Sequence, residues 1–156
     1  MDLLARRHQK QSAWTLGTAA LLIALACSAA FSSGLSEPTV RVGLLRFFRA
    51  VKQVATSAPS GHIVTDCATG GVVVSVADGS PTVLRASGAG MLIERSGSAP
   101  ISVSSAVVVT ATDPCATLKV ESPTRPMREY RGAVEISARR GALTLVNTVG
   151  LEDYVR

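Results

Sequence analysis

A chain of 156 residues is long enough for one domain and a short extension. Its 16 basic and 11 acidic residues leave a net charge of +5, which permits attraction to anionic polymers but excludes the dense positive field of a dedicated nucleic-acid binder. Aromatic residues make up 4% of the chain, too few for an extended set of stacking platforms for bases or sugar rings.

The N-terminus has the layout of a secretory signal peptide. Arg6, Arg7, His8 and Lys10 form a positive region, and Leu16 to Ala30 follows without a charge. Ala24 and Ala26 frame a small-x-small cleavage site before Cys27, and Ser28 to Ala30 offers a second. The strongly apolar core, Leu16 to Ala26, is shorter than the roughly 20 residues of a membrane span, so residues 1–30 are expected to be a cleaved signal in preference to a membrane anchor. Arg6-Arg7 lacks the apolar residues that follow a twin-arginine pair. Cys27 resembles a lipid-attachment cysteine, but Leu25 stands one place too close. Residues 31–39 read as a linker, and the domain proper begins at residue 40.

Val40, Val42 and Leu44 alternate with Arg41 and Gly43, which predicts a strand with one apolar face. Phe47 and Phe48 follow among Arg46, Arg49 and Lys52. This reads as a solvated basic strand end, with contact to an anionic polymer as the other reading. Gln53 to Gly61 is small and polar and predicts a loop. Ile63–Thr65 and Val72–Val76 predict strands around an Asp66–Gly71 turn, closed by Asp78-Gly79 and Ser80-Pro81. Thr82–Ala86 and Met91–Glu94 predict two more around Ser87–Gly90. That Gly-Ala-Gly turn has neither the lysine nor the following helix of a phosphate cradle. Beyond the Ser96–Pro100 turn, Ile101–Ser104, Ala106–Thr110 and Thr117–Glu121 are strand-like, interrupted by Asp113-Pro114. Pro123 and Pro126 make Ser122–Arg128 a loop or an edge, because proline cannot donate to a ladder.

The last stretch predicts a β-hairpin. Val134, Ile136 and Ala138 share one face of a strand. Arg139, Arg140 and Gly141 turn the chain, with Gly141 suited to a left-handed conformation. Ala142 to Thr148 returns. Leu151, Glu152 and Asp153 open a helix with acidic residues in its first turn, and the chain stops at Tyr154, Val155 and Arg156. The body is therefore expected to be all-β or β-dominated, with roughly eight to ten short strands and a C-terminal hairpin leading into a truncated helix.

The residues alone display no active site. The ten body carboxylates, from Glu37 to Asp153, fall mostly at turns or on polar strand faces. A serine nucleophile would need His62 as base, and no nucleophile elbow is present. His62 has Asp66 and Cys67 nearby but no further ligand at useful spacing, so no metal and no cofactor is expected. Cys67 and Cys115 would close a loop of about 49 residues if exported and oxidised, worth roughly 4 kcal/mol; the other reading is two separate buried thiols.

The terminal motifs resemble the SpoIID/LytB family, stage II sporulation protein D and the amidase enhancers. They are Tyr130-Arg131-Gly132, the strand through Ile136, then Leu143-Thr144-Leu145-Val146-Asn147, then Leu151-Glu152-Asp153-Tyr154. The opening Val40-Arg41-Val42-Gly43-Leu44-Leu45 is also similar. Tyr130, Gly132, Asn147, Leu151, Glu152 and Tyr154 are the positions that match the family pattern. The resemblance implies a domain over residues 40–156, incomplete at its C-terminus, in an exported cell-wall protein. Its implied partners are peptidoglycan glycan strands, with a wall amidase as a second. Its implied chemistry is lytic cleavage of glycan already stripped of peptides, or stimulation of that amidase. A non-catalytic wall-binding module is the alternative. Nucleic acid is not implied, and membrane contact is expected only through the N-terminal segment. The family name does not by itself assign a role in sporulation. The family's proposed catalytic glutamate lies in a Gly-Val-(Val/Ile)-x-x-Glu motif that follows the Leu-Glu-Asp-Tyr stretch. No residue here matches it, so no catalytic residue is assigned, and Glu152 belongs to the preceding motif.

Overall fold

The computed structural model describes residues 38–155. The expected leader, its cleavage sites, Cys27 and all of the 31–39 linker except Pro38 and Thr39 lie outside the described residues. Residues 37–156 form a compact unit of their own. In chain order its strands are β1 (Thr39–Gly43), β2 (Gln53–Ser57), β3 (His62–Asp66), β4 (Val72–Val76), β5 (Thr82–Ser87), β6 (Gly90–Arg95), β7 (Ile101–Val103), β8 (Val107–Ala111), β9 (Leu118–Ser122), β10 (Arg125–Tyr130), β11 (Ala133–Arg139) and β12 (Ala142–Gly150). Two single-turn helices, α1 (Leu45–Phe48) and α2 (Leu151–Tyr154), follow β1 and β12.

The strands make two six-stranded antiparallel sheets, in the orders β1-β12-β11-β8-β3-β4 and β10-β9-β2-β5-β6-β7. Period-2 alternation sends one face of each sheet into a shared core. β12 shows this over its whole length, with Leu143, Leu145, Asn147 and Val149 buried and the residues between them half-buried. Val64, Val107, Val109, Val134 and Ile136 from the first sheet meet Val54, Leu84, Met91, Ile93, Leu118 and Val120 from the second. β-branched side chains dominate because they pack well on a pleated, half-buried surface.

The expected β-dominated class is the observed one, with twelve strands where roughly eight to ten were expected. The expected hairpin forms, with Arg139 in the strand and not in the turn and the return strand running on to Gly150. Arg139 faces Ala142, and Arg140 and Gly141 both take positive φ (52° and 74°), the two-residue turn whose twist suits paired strands. Two expectations change, and an alternative left open is decided. Gln53–Gly61 is not a loop throughout: β2 lies inside the second sheet between β9 and β5. Val54, Thr56 and Ala58 alternate inward there, and the Thr56 hydroxyl is accommodated by donating to the Thr82 carbonyl (3.4 Å). Phe47 and Phe48 are not a strand end but lie on α1, with Phe48 buried and Phe47 exposed. Ser122–Arg128 takes the edge option. β10 is the outermost strand, and Pro126 falls where the register shifts between Arg125 and Arg128, so its missing N–H interrupts no regular ladder.

The suggested disulfide does not form. Both thiols are free and exposed. β3 and β8 run antiparallel with Asp66 opposite Val107 and His62 opposite Ala111. Cys67 follows one end of that ladder, where its N–H donates to the Ala106 carbonyl, and Cys115 follows the other. A ladder of five residues holds them roughly 15 Å apart, beyond the reach of a disulfide.

Candidate functional site

Where the β1 side of the first sheet meets the β10 edge of the second, the sandwich opens into a cleft of about 370 Å³. Tyr130, Asn147 and Tyr154 line it, together with Phe47, Arg131 and Asp153. Three of the six motif positions thus converge from three separate parts of the chain. The other three support or flank them.

Gly132 shapes the wall. It joins β10 to β11 at φ +76°, and a Cβ there would stand well inside van der Waals contact of the Thr148 carbonyl oxygen and 3.1 Å from Val149 Cα. Only glycine lets this turn lie flat on β12. Asn147 secures the same turn from below. With its amide nitrogen facing them, its side chain donates to the Arg131 carbonyl (3.0 Å) and the Ala133 carbonyl (2.9 Å). The two motif residues therefore serve one local structure that holds Tyr130 and Arg131 at the cleft. Leu151 is exposed, and its N–H donates to the Pro38 carbonyl (2.8 Å), tying α2 to the chain ahead of β1. Glu152 is exposed on α2 and does not line the cleft.

All four aromatic residues of the body meet here. Phe47, Tyr130 and Tyr154 line the cleft. Phe48 is buried beneath, with its ring centroid 6.4 Å from that of Tyr130 and the planes tilted by 57°. The sparse aromatic content is concentrated, not scattered. The Arg128 guanidinium lies 4.5 Å from the Phe47 ring centroid, a cation–π contact that holds the far rim. Arg131 Nη1 donates to Asp153 Oδ1 at 3.0 Å, joining the β10–β11 turn to α2. Glu129, the other carboxylate of the cleft, accepts from Thr117 Oγ1 (3.1 Å) and faces Lys119 (3.9 Å). Burial pushes the Tyr130 phenol above its ordinary pKa, with Arg128 opposing, and its oxygen has no hydrogen-bond partner.

Phe47, Arg128, Arg131 and Asp153 were not singled out as site residues from the sequence. The available signal was scarcity. The body has only four aromatics, and they stand near its two ends, which β1 and β12 bring side by side.

His62, Asp66 and Cys67 do not converge. His62 points into the core from one end of β3, fully buried, with Nε2 2.8 Å from Thr82 Oγ1 and Nδ1 without a partner. Asp66, at the other end, accepts from Ser105 Oγ (2.7 Å) and from the Ala68 and Thr69 N–H groups. These bonds, led by Ser105, hold its carboxyl below the usual range. Among the described residues no group of three His, Cys, Asp or Glu side chains could hold a metal ion, and no helix is long and apolar enough to cross a membrane.

Burial lowers the pKa of His62 below its ordinary 6.5. The unfolded chain therefore takes up this proton first, and stability must fall as pH drops below about 6.5, with a slope of at most about 1.4 kcal/mol per pH unit. Asp66 and Asp78, both held below the usual carboxylate range, add their losses only nearer pH 4. Urea unfolding of the body should thus show a decline between pH 7 and 5 that His62→Leu removes. A flat wild-type profile over that range would contradict the assignment. No protein-family model, curated protein or solved structure matches this chain.

Proposed function

We propose that this chain is part of an exported protein that remodels bacterial peptidoglycan, and that the cleft holds a glycan strand. The single observation that supports this most is the gathering of Phe47, Tyr130 and Tyr154 at one opening in a body whose sequence has Phe48 as its one other aromatic residue. Aromatic faces take up the C–H faces of sugar rings, and Arg131 and Asp153 supply polar groups beside them. The same opening gathers three of the positions on which the SpoIID/LytB resemblance rests.

In the reaction that the resemblance implies, a general acid protonates the glycosidic oxygen as its bond to the anomeric carbon breaks, the muramyl hydroxyl closes onto that carbon, and the hydroxyl's proton passes to the conjugate base of the acid. Both carboxylates that line the cleft already have partners, Asp153 with Arg131 and Glu129 with Lys119 and Thr117. The cleft residues of this chain therefore bind and orient the strand, and the acid would come from elsewhere. That pairing also favours the second reading, a non-catalytic wall- or amidase-binding module.

Cosedimentation with sacculi stripped of their peptides tests the proposal. The chain is expected in the pellet at low and high salt, because stacking is not screened, and Tyr154→Ala should weaken retention about tenfold. Purified residues 31–156 should release no anhydro-sugar ends. A folded chain that stays in the supernatant sinks the binding proposal, and reproducible release of such ends sinks the division of labour.

A further inference from the structure

We infer that the face formed by α1 and the β10 edge is a docking surface for an anionic lipid bilayer. Leu45, Arg46 and Arg49 come from α1 and its end, and Arg125 from a strand nearly eighty residues later. Together they surround a shallow depression of about 610 Å³. Arg128, stacked on Phe47, extends the same face toward the cleft. All four arginines are exposed, and none forms an ion pair among the described residues, where the ion pairs are Arg41–Glu135, Arg85–Glu94, Lys119–Glu129 and Arg131–Asp153. No carboxylate lines the depression. On β9 and β10, Glu129 is held by Lys119 and Thr117, and Glu121 lines a separate depression with Gln53 and Ala55.

Charge alone would suit any polyanion. The apolar groups decide between them. Leu45 is 60% exposed and Phe47 37% exposed, set among the guanidiniums. A soluble polyanion would neutralise the arginines and leave both side chains in water. A bilayer surface takes both, with guanidiniums on lipid phosphates and Leu45 and Phe47 at the acyl boundary. The sequence confined membrane contact to the N-terminal segment; this is a second contact, made by the folded body. It does not rest on the glycan reading: Leu45, Arg46, Arg49 and Arg125 lie outside the cleft, and Phe47 is the one residue that the two faces share.

Vesicle cosedimentation of the full chain and of the compact unit 37–156 tests this, the shorter form removing the apolar N-terminal stretch. Phosphatidylcholine vesicles with phosphatidylglycerol should retain the unit at low salt, and phosphatidylcholine alone should not. Replacing Arg46, Arg49 and Arg125 together by glutamine should weaken retention about 100-fold. Leu45→Ser should weaken it about tenfold with an unchanged thermal midpoint. Two results would overturn the assignment. One is failure of the anionic vesicles to retain the folded unit better than neutral ones. The other is binding unmoved by Leu45→Ser and fully competed by soluble polyphosphate, which gives the patch to a soluble polyanion.

Discussion

Gly132→Ala is expected to destabilise the body by about 3 kcal/mol, enough to lower its thermal midpoint by roughly 10 °C or more. Two costs combine. The residue sits at φ +76°, where an L side chain is strained, and the added Cβ would press on the Thr148 carbonyl and Val149 Cα, both in the backbone of β12. Thr148 is paired with Arg41 of β1 on one side and Ala133 of β11 on the other, and Val149 with Val40, so this backbone cannot step aside. Gly141 is the internal control. Its φ is +74°, nearly the same, but nothing lies within 4 Å of the place a Cβ would take, so Gly141→Ala should cost only about 1 kcal/mol. The difference between the two variants isolates the clash from the dihedral. Equal losses in urea or thermal unfolding would mean that the turn does not lie against β12 as described.

Phe48→Ala should cost about 4 kcal/mol, the largest loss expected for a single core truncation here. Phe48 is 1% exposed, is the largest fully buried side chain, and is presented by a single helical turn held by bonds from the Phe47 and Phe48 N–H groups to the Leu44 carbonyl. Its ring lies against Tyr130, so truncation leaves a cavity directly under the cleft wall. Phe47, its neighbour in sequence, faces outward, and Phe47→Ala should cost less than about 1 kcal/mol of stability. The pair therefore separates support from contact: Phe48 holds the cleft up, and Phe47 belongs to its surface. Comparable stability losses from both would contradict the orientation of α1.

Much of the fold was legible because valine and its neighbours alternate openly. Val40 to Leu44 and the terminal hairpin announce their faces, Val72 to Val76 announces a strand by its β-branched run, and Asp78-Gly79 and Arg140-Gly141 announce their turns. β2 was not legible, because its inward residues are Val54 and Thr56, followed by Ala58 just past its end. A buried threonine and an alanine look like loop composition until Thr82 is known to stand opposite. α1 was hidden for another reason. A single turn has no period to read, and only tertiary burial decides that Phe48 goes in and Phe47 out. The disulfide suggestion failed on register, which no spacing reveals. At the site, the motif marked Tyr130, Gly132, Asn147 and Tyr154 but not their division into wall and support. That division needs the crossing of β12 beneath the 130–133 turn. Arg128 and Arg131 were invisible as cleft residues, since their roles depend on Phe47 and Asp153 arriving from the two ends of the body.

The most direct test of the glycan cleft uses the protein's own tyrosines. The chain has two, and both line the cleft. Titrating the unit 37–156, which contains no tryptophan, with peptide-free glycan oligomers while following tyrosine fluorescence reads the proposed site directly. A saturable change is expected, with a midpoint that shifts about tenfold in Tyr154→Ala or Phe47→Ala and not in Gly141→Ala. Glycan that binds by sedimentation without altering the tyrosine signal would place the strand elsewhere and contradict the assignment of this cleft.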